Sequence, residues 1–474
     1  MKAFILTIFI SLSLSYSGWA QTCQFNEVFV YQSAIEKSDE LKIAKLQQKE
    51  FETNKGQLDA MYDGQLDARI SHQIDKSDRV ISVFGTRTDT TQFQTQYSKY
   101  FDLGLSLQTG FRQTREKTNG PFATINPAFN SIWFGQLNIP LLQSLERNND
   151  ILRNSYTVAI DGVSLETHYA QMQIGFQALQ TYMLWLQAKK EIELAEQALD
   201  RAQKYDQTTQ RLYKNGLVEK SSYFAAQSNV SMRKEDVLAT RNRFETIDRD
   251  LKHLLKVDFQ TECSNEDIHQ ASNFTKDQYL EYANRRLDIQ ALDKKIESAE
   301  IELSAYRKEL LPNLEAFTRL EVNNVDGSLG DAFGSSLSTD HTNWSVGGQF
   351  SMPFGKSLAK TKVERGKIQI ETLSLEKDKT KREIKRDILN AWNDWDMLNQ
   401  RITQMNQTVT FEDQKIKSTK KEYDLGRESF LTLLIFEQDF VQIKRKLLAL
   451  ETEQRVQKLL LALLSGIEPI QERP

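Results

Sequence analysis

Prolines are scarce in this chain, 7 among 474 residues, and glycines number only 20. Tight turns draw on both residue types, so a string of compact domains with many corners is excluded in favour of a few very long elements. Cys23 and Cys263 are the only cysteines, which excludes a disulfide-dense scaffold and any cysteine-based metal centre. His72, His168, His253, His269 and His341 stand singly, without the spacing of metal ligands. Charge of one sign is lacking too: 61 Lys+Arg against 65 Asp+Glu leave a net −4, with no basic stripe for nucleic acid. Beyond the amino terminus no charge-free apolar run reaches the roughly 18 residues of a transmembrane helix.

Signatures of chemistry are equally sparse. Gly355-Lys356-Ser357 lies between a strand and a helix, but a phosphate loop needs a further glycine where Phe350 stands. Asp326, Asp331 and Asp340 lack the spacing of a calcium-binding loop and read as turn residues. No nucleophile elbow or zinc motif occurs, so neither an enzyme nor a resident cofactor is expected.

What is present begins with an export signal. Met1-Lys2, an apolar run from Ala3 to Leu14, and small residues before Gln21 predict a signal peptide over 1–20, cut after Ala20. The run is too short for a membrane anchor, and Ala20 and Thr22 do not match the usual lipidation pattern ahead of Cys23. In an oxidising compartment Cys23 and Cys263 can pair or remain free thiols, and both readings stay open.

The mature chain is written twice. Aligning Leu212-Tyr213-Lys214-Asn215-Gly216 with Glu422-Tyr423-Asp424-Leu425-Gly426 sets an offset of 210. Steps of 3 and 4 residues from there run Tyr223, Ala226, Val230, Arg233, Val237, Thr240, Phe244, Ile247, Leu251, Leu254 in one copy. In the other they run Leu433, Phe436, Phe440, Ile443, Leu447, Leu450, Gln454, Gln457, Leu461, Leu464. Sixteen of these twenty positions are apolar, against 39% for the chain, which makes a heptad seam in the same phase twice. Long helical stripes precede each glycine, through Met172, Phe176, Leu179, Met183 and Leu186 and through Ile388, Trp392, Trp395 and Leu398. Each copy therefore predicts two long helices joined at a glycine-capped turn, Gly216 or Gly426. The repeats are placed at 21–262 and 263–470, as one intertwined fold rather than separable domains.

Between helical blocks the period changes to 2. Phe93, Tyr97, Phe101, Leu103, Leu105, Leu107 and Phe111 share one parity and predict a single two-faced strand. Trp133, Leu137, Ile139 and Leu141 predict a second; Leu314, Ala316, Leu320 and Val322 a third; Trp344, Val346, Phe350, Met352 and Phe354 a fourth. Exposed loops are expected over Lys117 to Phe129 and Asn323 to Asn343. Tyr97, Tyr100, Trp133 and Trp344 fit aromatic girdles at strand ends. Leu66 to Pro140 spans 74 residues and Leu314 to Pro353 only 39, so the first copy holds extra strand or a longer loop. Four strands cannot close a barrel, and open edges are not tolerated in lipid, so several chains must pool their strands.

At this point the residues resemble a known family. The duplicated turn and seam helix, Leu310-Leu311-Pro312-Asn313-Leu314, the strand ends Asn138-Ile139-Pro140-Leu141 and Ser351-Met352-Pro353-Phe354, and Ala462-Leu463-Leu464-Ser465-Gly466 are similar to the TolC family of outer-membrane efflux channels. The resemblance spans nearly the whole mature chain. It implies an α+β membrane protein: duplicated helical hairpins forming a periplasmic α-barrel, and β-strands of a homotrimer pooled into a twelve-stranded barrel in outer-membrane lipid. It implies the exit duct of a tripartite efflux pump or type I secretion system, energised by an inner-membrane transporter, RND-type or ABC, through a periplasmic adaptor.

By position, Leu212, Gly216, Leu217, Val218, Tyr423, Leu425, Gly426, Arg427 and Glu428 would form the adaptor-facing tip. Some family channels carry an acidic ring where this chain has Thr432 and Ile435, with Ser222 and Ala225 as the first-copy equivalents. A polar or hydrophobic entrance constriction replaces the acidic one in this reading. The rival is an exported coiled-coil scaffold or periplasmic adaptor without a barrel, and the two-faced strands oppose it.

Overall fold

A computed structural model describes residues 25–77, 85–101, 104–142, 148–256, 274–352 and 354–468. The signal peptide at 1–20, Cys23, Cys263 and the expected repeat boundary lie outside these residues. Two short helices, α1 (Glu27–Lys37) and α5 (Lys276–Ala283), each precede a longer one, α2 (Asp39–Asp59) and α6 (Leu287–Lys308). Two hairpins of long helices dominate, α3 (Asn148–Lys214) with α4 (Lys220–Leu255), and α8 (Ser357–Asp424) with α9 (Phe430–Leu464). At 67 and 68 residues, α3 and α8 each run about 100 Å.

The helices stand side by side at two levels. Toward the tips, α3 packs on α4, α8 on α9, and α3 on α9 across the two hairpins. At the other level the lateral order is α2, α3, α6, α8. There each helix running toward the sheet is tied to its returning neighbour: Arg153 to Asp59 at 2.5 Å in the first copy, Lys362 to Glu309 at 2.8 Å in the second. Glu166 of α3 also pairs with Lys295 of α6 at 2.5 Å. Between the levels lie two apolar clusters. One gathers Phe25, Val30, Tyr182, Trp185, Leu251 and Leu255, and the other Tyr279, Ile289, Ile384, Ile388 and Leu461. The stripes read from the sequence contribute to both, Leu179, Met183, Leu186 and Leu251 to the first and Ile388 and Leu461 to the second. The short helix α1 adds to the first and α5 to the second.

Six antiparallel strands form one sheet in chain order: β1 (Gln65–Asp75), β2 (Thr88–Tyr100), β3 (Ser106–Thr118), β4 (Ala128–Pro140), β5 (Asn313–Asp326) and β6 (Thr342–Ser351). This corrects the expected four. The run from Phe93 to Phe111 is not one strand but two, folded at 101–105, where Gly104 has φ +78° and Gly104 N–H donates to the Phe101 carbonyl at 2.9 Å. Tyr97 faces Thr109 and Thr95 faces Phe111. Paired positions sum to an even number, so odd residues meet odd residues and the apolar parity crosses the turn unbroken. The extra length of the first copy is thus a strand pair.

The register aligns one apolar face across the whole sheet. Ile70 opposes Phe93, Phe111 opposes Trp133, Trp133 opposes Val322, and Leu320 opposes Trp344. The reverse face is polar. Gln92, Gln94 and Gln96 form a hydrogen-bonded ladder, Arg112 donates to Gln94 at 3.3 Å, and Arg319 donates to Gln136 and Glu321. The girdle expectation needs correction at two positions. Trp133 sits inside the sheet under a short helix, α7 (Leu329–Gly334), in ring contact with Phe333 and donating to Ser336. Tyr100 lies on the polar-face parity, paired with Ser106. Asp326 and Asp331 serve the α7 turn, accepting from Ser328, and no group of three or more candidate metal ligands occurs among the described residues. No helix among them is long and apolar enough to cross a membrane.

Between β6 and α8 the chain bends at Gly355 and Lys356, with φ +87° and +50°. Lys356 Nζ donates to the Leu310 carbonyl at 2.6 Å, so this lysine braces a bend rather than awaiting a phosphate.

Candidate functional site

The hairpin tips are built twice by the same backbone device. After α3, Gly216 takes φ +73°, its N–H donates to the Tyr213 carbonyl at 2.9 Å, and Leu217 N–H reaches the Leu212 carbonyl at 2.9 Å. After α8, Gly426 takes φ +72°, its N–H donates to Tyr423 at 2.9 Å, and Arg427 N–H reaches Glu422 at 2.8 Å. This paired bonding closes the last helical carbonyls and needs a left-handed residue, which glycine adopts without cost. Ser429 then caps α9 by accepting from Thr432 N–H at 3.1 Å.

Side chains join the two tips. Tyr205, Leu212, Ala226, Tyr423, Phe430 and Leu433 form a buried cluster with Val218 and Ala225 against it. Leu212 and Tyr423 are therefore corrected as outward-facing tip residues: the first is 7% exposed and the second 0%. They are spent on holding one hairpin against the other. Ala225 packs against the cluster and Thr432 bonds Ser429 at 2.9 Å, and both are half-buried. Ser222 is half-buried.

Around the cluster runs a buried polar strip that sequence reasoning missed. Glu437 of α9 accepts from Tyr205 Oη at 2.7 Å and from Arg201 Nε at 3.0 Å, both on α3. Thr209 and Tyr423 share a hydrogen bond at 2.5 Å. Arg445 of α9 reaches both carboxylate oxygens of Asp236 on α4, at 2.7 and 2.8 Å. Burial first, and the neighbouring Glu437 second, push the Tyr205 phenol well above its ordinary range. Burial also raises Tyr423 and lowers Arg233. At the rim the Ser429 backbone N–H and the Thr432 hydroxyl hold Glu428 below the usual carboxylate range. Pairing across the two copies is invisible in a one-dimensional repeat. The only available signal was an acid, Glu437, on the seam helix.

What remains exposed is mixed, with apolar side chains set among charged ones such as Lys214, Glu219, Asp424 and Arg427. Leu217 and Leu425 are each 63% exposed at the turns, Phe224, Leu431 and Ile435 flank them, and Gly216, Gly426, Arg427 and Glu428 complete the surface. These residues carry no nucleophile paired with a base.

No family model matches the chain, and no curated protein does. Solved structures do match. The outer membrane protein VceC from Vibrio cholerae is similar at 15% identity and TM-score 0.66, over 93% of this chain and 96% of that one. The CmeC outer membrane channel of Campylobacter jejuni is similar at 13% identity and TM-score 0.64, over 94% and 87%. The open state of the MtrE outer membrane channel of Neisseria gonorrhoeae is similar at 12% identity and TM-score 0.66, over 94% and 90%. The fold is that of the outer-membrane channels. The resemblance to the TolC family read from the sequence holds at the level of this fold.

Proposed function

We propose that the chain is one protomer of a homotrimeric outer-membrane exit duct for a tripartite efflux pump or type I secretion system, and not an enzyme. The observation that carries this reading is the sheet. It has one apolar and one polar face, and strands of 10 to 14 residues. Tilted strands of about that length cross a bilayer. Among the described residues its first and last strands pair with no further strand on their outer edges, and lipid does not tolerate such edges in a single chain. A scaffold or adaptor without a barrel has no use for such a sheet.

In this reading the helical hairpins extend into the periplasm. Their exposed tips, with Leu217, Leu425 and the charged rim residues Arg427 and Glu428, meet a periplasmic adaptor, and an RND-type or ABC transporter of the inner membrane supplies the energy. Ile435, exposed on α9 at 55%, leads the candidates for the entrance constriction, with Ser222, Ala225 and Thr432 half-buried. The test is fractionation of expressing cells. The protein is expected in the outer membrane as a heat-modifiable trimer that conducts ions in planar bilayers. Recovery as a soluble periplasmic monomer would refute the proposal.

A further inference from the structure

The sheet carries two more strands than the helices call for. Four helices meet it in the lateral order α2, α3, α6, α8. Each continues into one strand: α2 leads to β1, β4 to α3, α6 to β5, and β6 to α8. The hairpin β2–β3 alone has no helix below it, and closes on itself at 101–105. It is nevertheless a full member of the sheet. β2 pairs with β1 over Thr88 to Ser98, and β3 with β4 over Ser106 to Glu116, so β1 and β4 do not touch. Its faces obey the common alternation, with Phe93, Tyr97, Leu107 and Phe111 apolar and Gln94, Gln96, Gln108 and Arg112 opposite.

Widths are compatible with the insertion. Six strands spaced about 4.8 Å and tilted about 40° span about 38 Å of barrel wall. Four helices packed at about 9 Å span about 36 Å. Four strands would span only about 25 Å at the same spacing and tilt.

We infer that three copies close an eighteen-stranded barrel, six strands each, in which the β1 edge of one copy pairs with the β6 edge of the next. This rests on the duct reading above and adds the strand number and the joining edges. Six is an even count, so β1 and β6 run in opposite directions and identical copies join head to tail without breaking the antiparallel order. Both edges offer the same apolar face at the seam, Leu66 and Ile70 on β1 and Trp344, Val346 and Phe350 on β6, all exposed in the single chain. The barrel wall then stands nearly flush with the helical wall, about 36 Å across between backbones rather than the roughly 24 Å of twelve strands.

Electron cryo-microscopy of the full-length protein in detergent tests this. The expected result is three copies and eighteen continuous strands. Twelve strands overturn it, whether from two copies or from three copies with β2–β3 folded off the wall. A particle with no barrel would instead strike at the duct reading itself. As a second arm, a variant lacking Thr88–Thr118 joins β1 directly to β4. Its trimer is expected to show a twelve-stranded barrel narrower by about one third in circumference, following strand number. An unchanged barrel circumference in that variant would overturn the inference as well.

Discussion

At the tips, Gly216 and Gly426 take the same left-handed φ, and each glycine and the residue after it donate the same pair of backbone bonds, whereas at the other end the first copy builds four strands and the second builds two. A helix end has few ways to satisfy its last carbonyls, so the tip device survives duplication. A sheet accepts an added antiparallel hairpin provided parity is kept, so the strand region is free to grow. The copies also part at the middle level. The residue before α2 is Ser38, a buried cap accepting from Leu41 N–H at 3.1 Å. The residue before α6 is Arg286, which donates to the Leu464 carbonyl at 3.0 Å and pairs with Asp288 at 2.8 Å, while its guanidinium lies over the Tyr169 ring. One copy closes a helix locally; the other ties three elements together.

The largest expected effect comes from that difference. Arg286→Ala leaves Asp288 and the end of α9 without their partner and is expected to cost about 3 kcal/mol. Ser38→Ala removes only a cap and is expected to cost about 1 kcal/mol. Denaturant unfolding of both variants reads the gap, and equal losses would contradict the account of the middle level.

The inter-hairpin strip comes next. Glu437→Ala strands the Tyr205 hydroxyl and the Arg201 guanidinium and is expected to cost about 2 kcal/mol. The Tyr205 phenol is raised above its ordinary 10.0 in the fold. A raised acid contributes stability that is complete below the unfolded value and lost as pH climbs above it. Melting of the wild type is therefore expected to fall above about pH 10, and Tyr205→Phe to flatten that alkaline slope. A slope unchanged by Tyr205→Phe would assign the alkaline loss elsewhere.

Gly216→Ala and Gly426→Ala sharpen the likeness of the tips. An added Cβ meets nothing within 4 Å at either site, so only the left-handed φ is penalised. Each is expected to cost about 1 kcal/mol, and by the same amount. Unequal melting shifts would show that the turns are not equivalent. Smallest is the rim carboxylate. Glu428 is lowered from 4.5, so its contribution is present above that pH and fades as pH falls below it. Glu428→Gln is expected to remove this mild acid sensitivity of the tip, read by thermal scans between pH 3 and pH 6 (a range set about the ordinary carboxylate value).

Much of this architecture was legible because it is periodic. The seam phase located both long hairpins, and the doubled glycines located both turns. The strand count was not legible: Phe93 and Phe111 share a parity whether they lie on one strand or on two joined by an even-register turn, and only Gly104 hinted at the fold. The tip contacts were half legible. Helical spacing put Leu433 and Phe440 on a buried stripe, but the burial of Tyr423, equivalent to the exposed Tyr213, depends on which hairpin lies behind each. Arg286 was invisible, since its partners come from α9 and α3, far along the chain.

The most direct test of the central claim, a duct with its sheet in the outer membrane and its tips in the periplasm, is thiol labelling on intact cells. In a background with Cys23 and Cys263 replaced by serine, a membrane-impermeant maleimide is applied to Leu329→Cys, on α7 between β5 and β6, and to Leu217→Cys at the tip. Both native side chains are exposed, at 52% and 63%. The account predicts that Leu329→Cys is labelled from outside, and that Leu217→Cys is labelled only after the outer membrane is permeabilised. Equal labelling of the two sites in intact cells would contradict it.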